Sequence, residues 1–349
     1  MVAGAIQLGS VEPVTMIGDS RAIQQDLIAM YRSYAVVLLA LTSTISLAAT
    51  RRLSQLPVVT TIEVPAGPGW LGVGFGSVWL SKSDSHLLLR IDPATNAVVA
   101  RIPVGPDPEL GIGIGLGYVW IADTKERSLR QIDPSTNAVV RTIAVNISQE
   151  PEGSFAVGAR SIWLLTDDNG TDSGTLSRLD PETGKIIAMI PVKPKSYAAI
   201  VADDSVWVTN SADESVQRIN VRTNRVVAEI PVHPSPRFLA AGENGIWVLS
   251  QGDGALVRID PVTNRVSATI AVGFPGPGGD LWVDDGIVWA SAEGAPLSMI
   301  DPKSNTLVKQ FVGGKRMDTL RAEFGAVWIV EEPTGKIWKI SIRKLEAMR

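Results

Sequence analysis

The sequence contains no cysteine and only two histidines, His86 and His233. The first absence removes disulfides, thiolate nucleophiles, Cys-ligated zinc and a cysteine-linked lipid anchor. The second leaves little for histidine-based chemistry. Positive charge is also short: 32 Lys and Arg stand against 36 Asp and Glu, a net charge of −4. A duplex nucleic-acid binder normally carries a basic face, and nothing here supplies one. Tyrosine (4) and phenylalanine (6) are scarce, yet tryptophan reaches 10. An excess of one aromatic over the others points to a single structural position that recurs.

The N-terminus reads as an address. Met30-Tyr31-Arg32-Ser33 precedes the apolar run Ala35 to Leu41, and Ser46-Leu47-Ala48 and Leu47-Ala48-Ala49 follow with small residues. A short charged start, an apolar middle and a small-residue exit describe a secretory signal peptide over 30–49. Arg51 and Arg52 run against that reading, and an uncleaved N-terminal anchor is the alternative. Such an anchor would be the only contact with a membrane. Residues 1–29 form an upstream extension without pattern, and Met30 is an alternative start. The expected location is periplasmic or secreted.

Seven tryptophans recur in phase: Trp79, Trp120, Trp163, Trp207, Trp247, Trp289 and Trp328, at intervals of 41, 43, 44, 40, 42 and 39. A second marker follows most of them by 13 residues. It reads Asp92-Pro93-Ala94-Thr95-Asn96 and recurs at Asp133, Asp180, Asn220, Asp260 and Asp301. Two markers in phase at this period indicate propeller blades or a solenoid. Within Arg237 to Val272, four short apolar segments separated by turn residues predict an antiparallel meander. Its second segment, Ile246 to Leu249, is apolar throughout, as a strand covered on both faces requires. In the recurring turn, Asp binds backbone N–H groups and Pro presets φ. The turn closes on Asn96, Asn137, Gly184, Asn224, Asn264 or Asn305. Asn and Gly share a tolerance of positive φ, so a left-handed residue is expected there.

The last copy ends after Lys336 to Ile342 without a fourth strand. Val58 to Pro65 matches the fourth strand Val98 to Val104, so the N-terminal strand is expected to complete the last blade. Such closure hides strand edges, which an open array would not need. The predicted fold is all-β: a seven-bladed β-propeller of four-stranded antiparallel blades over residues 57–343, with a C-terminal tail at 344–349.

The run Gly76-Ser77-Val78-Trp79, Arg90-Ile91-Asp92-Pro93-Ala94-Thr95-Asn96 and Ile102-Pro103-Val104-Gly105 resembles the YVTN-type propellers. These include YncE-like periplasmic proteins and the streptogramin B (virginiamycin B) lyase superfamily. The resemblance implies the fold directly. For the lyases it also implies His and Glu side chains acting with Mg²⁺ at one mouth of the ring. The recurring Trp-Phe-Thr-Glu element of those enzymes is absent here, and His86 and His233 fall on separate loops. Catalytic residues are therefore not assigned.

Positions that depart from the repeat are free for function. Ten or nine residues before each repeated Trp, where strand one begins, the copies mostly carry Gly, Ala, Ser or Thr. Trp70, Tyr197, Arg237, Asp280 and Asp318 are the exceptions, with Arg321 two residues further inward from Thr319. These six are expected to converge at the propeller mouth and to bind a small molecule, peptide or protein. An Arg–Asp pairing there would serve structure alone. One insertion, Thr166 to Gly174, offers Asp167, Asp168 and Asp172 as candidate Ca²⁺ or Mg²⁺ ligands, against a plain solvated loop. No cofactor is otherwise predicted. The leading functional expectation is an exported, non-enzymatic binding or scaffold propeller. The alternatives are a Mg²⁺-dependent lyase or hydrolase and a single-stranded nucleic-acid binder, the latter opposed by the acidic balance.

Overall fold

The computed structural model describes residues 49–64, 69–82, 85–106, 111–147, 154–167, 174–313, 317–331, 334 and 336–348. The segment read as an address, the loop residues Asp168 and Asp172, and the side chains of Asp167 and Asp318 lie outside this description.

Seven antiparallel sheets follow one another along the chain. Six sheets take their four strands in meander order, and each contributes its first strand to the ring axis. The seventh is completed as expected: Val58–Ile62 pairs antiparallel with Lys336–Ser341, Val58 facing Ile340 and Ile62 facing Ile337. The protein is thus a seven-bladed β-propeller whose N-terminal strand closes the last blade. In blade five the strands span Pro236–Gly242, Gly245–Ser250, Ala255–Asp260 and Arg265–Ala271. These match the four apolar segments read from the sequence. Strand two is buried at every position in blades one, four and five, because neighbouring blades cover both its faces.

All seven repeated tryptophans are at most 1% exposed. Five of them (Trp79, Trp120, Trp163, Trp247 and Trp328) donate Nε1–H to the carbonyl of the residue five earlier, satisfying a buried donor. The turns are as expected. In Asp92, Oδ1 accepts from the N–H groups of Ala94 and Thr95, at 2.7 and 3.0 Å. The closing residues lie at φ between +53° and +70°.

Those asparagines do more than tolerate a left-handed backbone. Directly across from Trp79, Trp163, Trp207, Trp247 and Trp328 stand Arg90, Arg178, Arg218, Arg258 and Lys339. Each cation lies 4.7 to 5.1 Å from the centroid of its Trp ring. It then reaches into the next blade. Arg218, for example, donates to Pro261 O at 2.6 Å and Asn264 Oδ1 at 2.9 Å. Arg90 does the same to Asn137, Arg178 to Asn224, Arg258 to Asn305 and Lys339 to Asn96. Five inter-blade seams therefore carry one latch: a cation stacked on Trp and hydrogen-bonded to the neighbouring turn.

Two additions at the chain ends go beyond the repeat. Ala49–Arg52 forms a fifth strand on blade six, parallel to residues 309–312. The segment 344–349, read as a tail, contributes to a helix over Ile342–Ala347, capped by Ser341, whose Oγ accepts from Lys344 N–H. Leu53 and Leu56 meet Ile342 and Leu345 in one apolar cluster with Trp289, Met299 and Phe311, between blades six and seven. Among the described residues no helix is long and apolar enough to cross a membrane.

Candidate binding site at the propeller mouth

Strand one of every blade lines a central cavity of about 410 Å³. Its wall is mainly backbone and aliphatic: Val73, Ile114, Val157, Val201 and Val283 all contribute. The axis is crowded, which accounts for the small residues in strand one. A Cβ on Gly113 would stand 2.4 Å from the Phe155 ring.

The mouth is the face where strand one begins and strand two ends. Trp70 enters it from blade one and meets Phe238 of blade five, with ring centroids 6.2 Å apart. Blades one and five are not neighbours, so the indole reaches across the opening. Phe238 in turn packs edge-on to Tyr197 of blade four at 6.4 Å and 83°. The Arg237 guanidinium lies 4.0 Å from the Tyr197 ring centroid, bonds the Tyr197 hydroxyl, and donates to Gln251 Oε1 at 3.0 Å. Gln251 Nε2 donates to Gly278 O at 2.9 Å, fixing the amide's orientation. Trp70, Phe238, Tyr197 and Arg237 form one aromatic–cation cluster drawn from three blades.

The other two described members form a separate unit. Asp280 Oδ2 accepts from Arg321 Nη1 at 2.5 Å, and from Thr319 Oγ1 and Leu320 N–H, both at 2.9 Å. Its Oδ1 accepts from Leu281 N–H at 2.8 Å. Asp280 is 4% exposed, and a buried carboxylate with four donors is fully satisfied without a ligand. Arg321 also stacks on Trp282 at 4.7 Å, and Trp282 Nε1 donates to Ala322 O at 3.0 Å. This pair ties blade six to blade seven on the cavity wall. Trp70, Asp280 and Arg321 therefore face the cavity directly, whereas Tyr197 and Arg237 stand behind Phe238 at its rim. Asp318 belongs to the strand Met317–Glu323.

Three contributors were not singled out from the sequence: Phe238, Trp282 and Gln251. The first two are large residues in strand one, where several other copies hold Gly or Ala (Gly111 and Ala198 at the Phe238 position; Gly72, Gly113, Ala156 and Ala240 at the Trp282 position), so the internal comparison carried their signal. Nothing in the repeat marks Gln251. A buried polar layer at the ends of strand two also went unread. It includes Asn210, which accepts from Ser196 Oγ at 2.8 Å, and Asp123, ion-paired to Arg130 at 2.9 Å.

The far end of the cavity has its own exception. Gly74, Gly115, Gly158, Ala202 and Gly242 end strand one in blades one to five, but Asp284 and Glu323 end it in blades six and seven. Burial raises both carboxyl pKa values, and the neighbouring charge of Asp285 on Asp284, and of Asp284 on Glu323, raises them further.

His86 sits at φ +57° before strand three of blade one. His233 lies between blades four and five, with Nδ1 2.6 Å from Asp253 Oδ2 and Nε2 3.3 Å from Thr269 Oγ1. Asp167 is in the strand Ser161–Asp167, paired with Gly174. Among the described residues no group of three His, Asp or Glu side chains is placed to hold a metal.

No family model matches the chain, and no curated protein matches it. Solved structures do. Virginiamycin B lyase from Staphylococcus aureus superposes with a TM-score of 0.65 at 15% identity, over 81% of this chain and 99% of that one. BamB from Moraxella catarrhalis gives 0.56 at 13%, over 80% of this chain and 86% of that one. The Cps50 (Swd1) β-propeller domain from Myceliophteria thermophila gives 0.64 at 12%, over 82% and 99%. At these identities the likeness is one of fold alone.

Proposed function

We propose that the protein is a non-enzymatic binding propeller, exported from the cytoplasm, that holds a small apolar ligand or the side chain of a peptide at the mouth of its central cavity. One observation carries the reading. An aromatic–cation cluster from blades one, four and five overhangs a cavity of about 410 Å³ whose wall is aliphatic. The fold does not demand these large side chains, because the same repeat positions elsewhere carry small ones. Trp70 supplies a flat face over the opening, and Arg237, held by Tyr197 and Gln251, sets a fixed positive charge at the rim. Asp280 and Arg321 serve the scaffold, since they satisfy one another. The export half of the proposal rests on the charged–apolar–small pattern of residues 30–49.

The test is substitution. Purified protein is titrated with a panel of hydrophobic peptides and followed by tryptophan fluorescence. Trp70→Ala and Arg237→Ala are expected to abolish binding while leaving thermal stability nearly unchanged. Binding that survives both changes would remove the mouth from consideration. Cleavage of quinupristin, the compound found with a virginiamycin B lyase in a solved structure, that is lost on chelation of Mg²⁺ would replace this reading with the lyase one.

A further inference from the structure

The seam between blades two and three lacks both halves of the latch. Gln131 faces Trp120 where five blades carry Arg or Lys, and Gly184 closes the next turn where the others carry Asn. The turn is instead held by Arg141, from strand four of blade two (Ala138–Ala144). Its Nη1 donates to Pro181 O at 3.2 Å and to Glu182 O. Gly184 suits this detour: its φ is +70°, and a Cβ there would stand 2.8 Å from Arg141 Nη2.

Beside the diverted arginine lies a cavity of about 650 Å³, lined among others by Tyr118, Gln131, Arg141, Arg160, Asp180 and Glu182. It is built from the turns joining strands one to two and three to four, so it opens on the face opposite the mouth. Some of its polar groups are left uncommitted. Gln131 is 8% exposed, and its amide makes no hydrogen bond among the described residues. Arg160 and Glu182 form no ion pair there. Asp180 commits Oδ1 to the N–H groups of Glu182 and Thr183, both at 2.8 Å. Tyr118, edge-on to Trp120 at 6.0 Å, gives the cavity an aromatic wall.

We propose that this cavity binds a small zwitterion bearing an apolar or aromatic side group, the class to which free amino acids and short peptides belong. Arg141 and Asp180 offset one another in part: the backbone donors lower the Asp180 pKa first, and the charge of Arg141 lowers it further. Arg160 and Glu182, however, face the same space without an ion pair between them, which suits a ligand carrying both signs. The Gln131 amide can donate and accept, so either end of such a ligand can satisfy it. The volume falls within the range of small-molecule sites.

The test is calorimetric titration of the full chain with L-phenylalanine and the dipeptide Phe-Gly, against phenylpropionate and phenylethylamine, each of which lacks one charge. The zwitterions are expected to bind at least about tenfold more tightly than either single-charge analogue. Arg160→Ala, an exposed position, is expected to weaken L-phenylalanine by about tenfold. Gln131→Arg with Gly184→Asn rebuilds the latch, and is expected to abolish binding while raising the melting temperature. Arg237→Ala should leave this binding intact, which separates the cavity from the mouth. Absence of binding by both zwitterions up to about 10 mM would overturn the proposal. So would equal affinity for the single-charge analogues, or unchanged affinity in both Arg160→Ala and the rebuilt-latch variant.

Discussion

The seam between blades four and five and the seam between blades six and seven solve one packing problem with opposite chemistry. In the first, Arg218 stacks on Trp207 and binds Pro261 O and Asn264 Oδ1 across the gap. In the second, the residue facing Trp289 is Met299. The reason is ring closure. Strand three of blade seven ends at Ser341 and strand four begins at Val58, so no Asp-Pro-x-Thr-Asn turn joins them. With no turn to receive it, a cation opposite Trp289 would be buried unpaired. The chain fills the place with an apolar plug instead: Leu53, Leu56, Ile342 and Leu345 pack on Met299 and Phe311. Cations lie beside that plug as well. Lys309 bonds the carbonyls of Leu345 and Glu346, where the C-terminal helix end favours positive charge. Burial lowers its pKa, and the charge of Arg51 lowers it further. A closed repeat thus needs one non-repeating joint, and here the joint is apolar.

The largest effect should come from breaking that joint. Deleting residues 50–66 removes the closing strand together with Leu53 and Leu56. Blade seven then loses its edge cover and the plug loses half its members. Urea unfolding of the deleted chain is expected to lose the single steep transition of the intact ring. An unchanged midpoint and slope would mean that the seam closes without them.

Changes at a single Trp-facing position come next. Met299→Arg places a charge where no turn can take it, and is expected to cost about 3–5 kcal/mol. Trp207→Ala, which empties a latched seam, should cost about 3–5 kcal/mol through the cavity it leaves. Arg218→Met copies the apolar joint into a latched seam. It removes three charge-assisted hydrogen bonds, to Ser205 Oγ, Pro261 O and Asn264 Oδ1, and a cation–π contact, for about 2–3 kcal/mol. Chemical denaturation of the three variants checks the order. If Met299→Arg proves neutral, the apolar character of the joint is incidental.

Most of the fold was legible because repetition multiplies weak signals. A Trp between apolar residues means little once and a great deal when it recurs seven times at spacings near 41. Ring closure was legible for the same reason, since Val58 to Val64 resembles the fourth strand of other copies. The latch was partly legible. Eleven residues after Trp79, Trp207, Trp247 and Trp328 stands a cation, but Asn at the turn already had a sufficient explanation in its positive φ. The plug was not legible, because Ala49 to Leu56 and Ile342 to Ala347 repeat nowhere. At the mouth, the sequence could mark Arg237 and Arg321 as outliers of one kind. It could not tell that Arg321 is held by Asp280 while Arg237 rests on Tyr197, since that depends on which blade each strand faces.

The smallest effect concerns charge at the far end of the same seam. Strand one ends in Gly or Ala in blades one to five, but in Asp284 and Glu323 across the six–seven joint. Burial raises both carboxyl pKa values above the ordinary 3.8 and 4.5. The unfolded chain then gives up these protons at lower pH than the folded one. Stability is therefore lost as pH rises from the ordinary values through the raised ones, and the penalty is absent below them. The turn aspartates act in the opposite sense. Backbone N–H donors lower the pKa of Asp92 and Asp260, as the Ser135 hydroxyl does first for Asp133, so their contribution is present above 3.8 and lost as pH falls further. The latched seams should weaken in acid while the apolar joint gains. Asp284→Asn with Glu323→Gln removes only the second term. Its melting temperature is expected to exceed that of the parent at pH 7, with the difference closing by about pH 3, where both proteins carry neutral groups at these positions. A difference that stays constant across that range would place its origin in packing rather than ionisation.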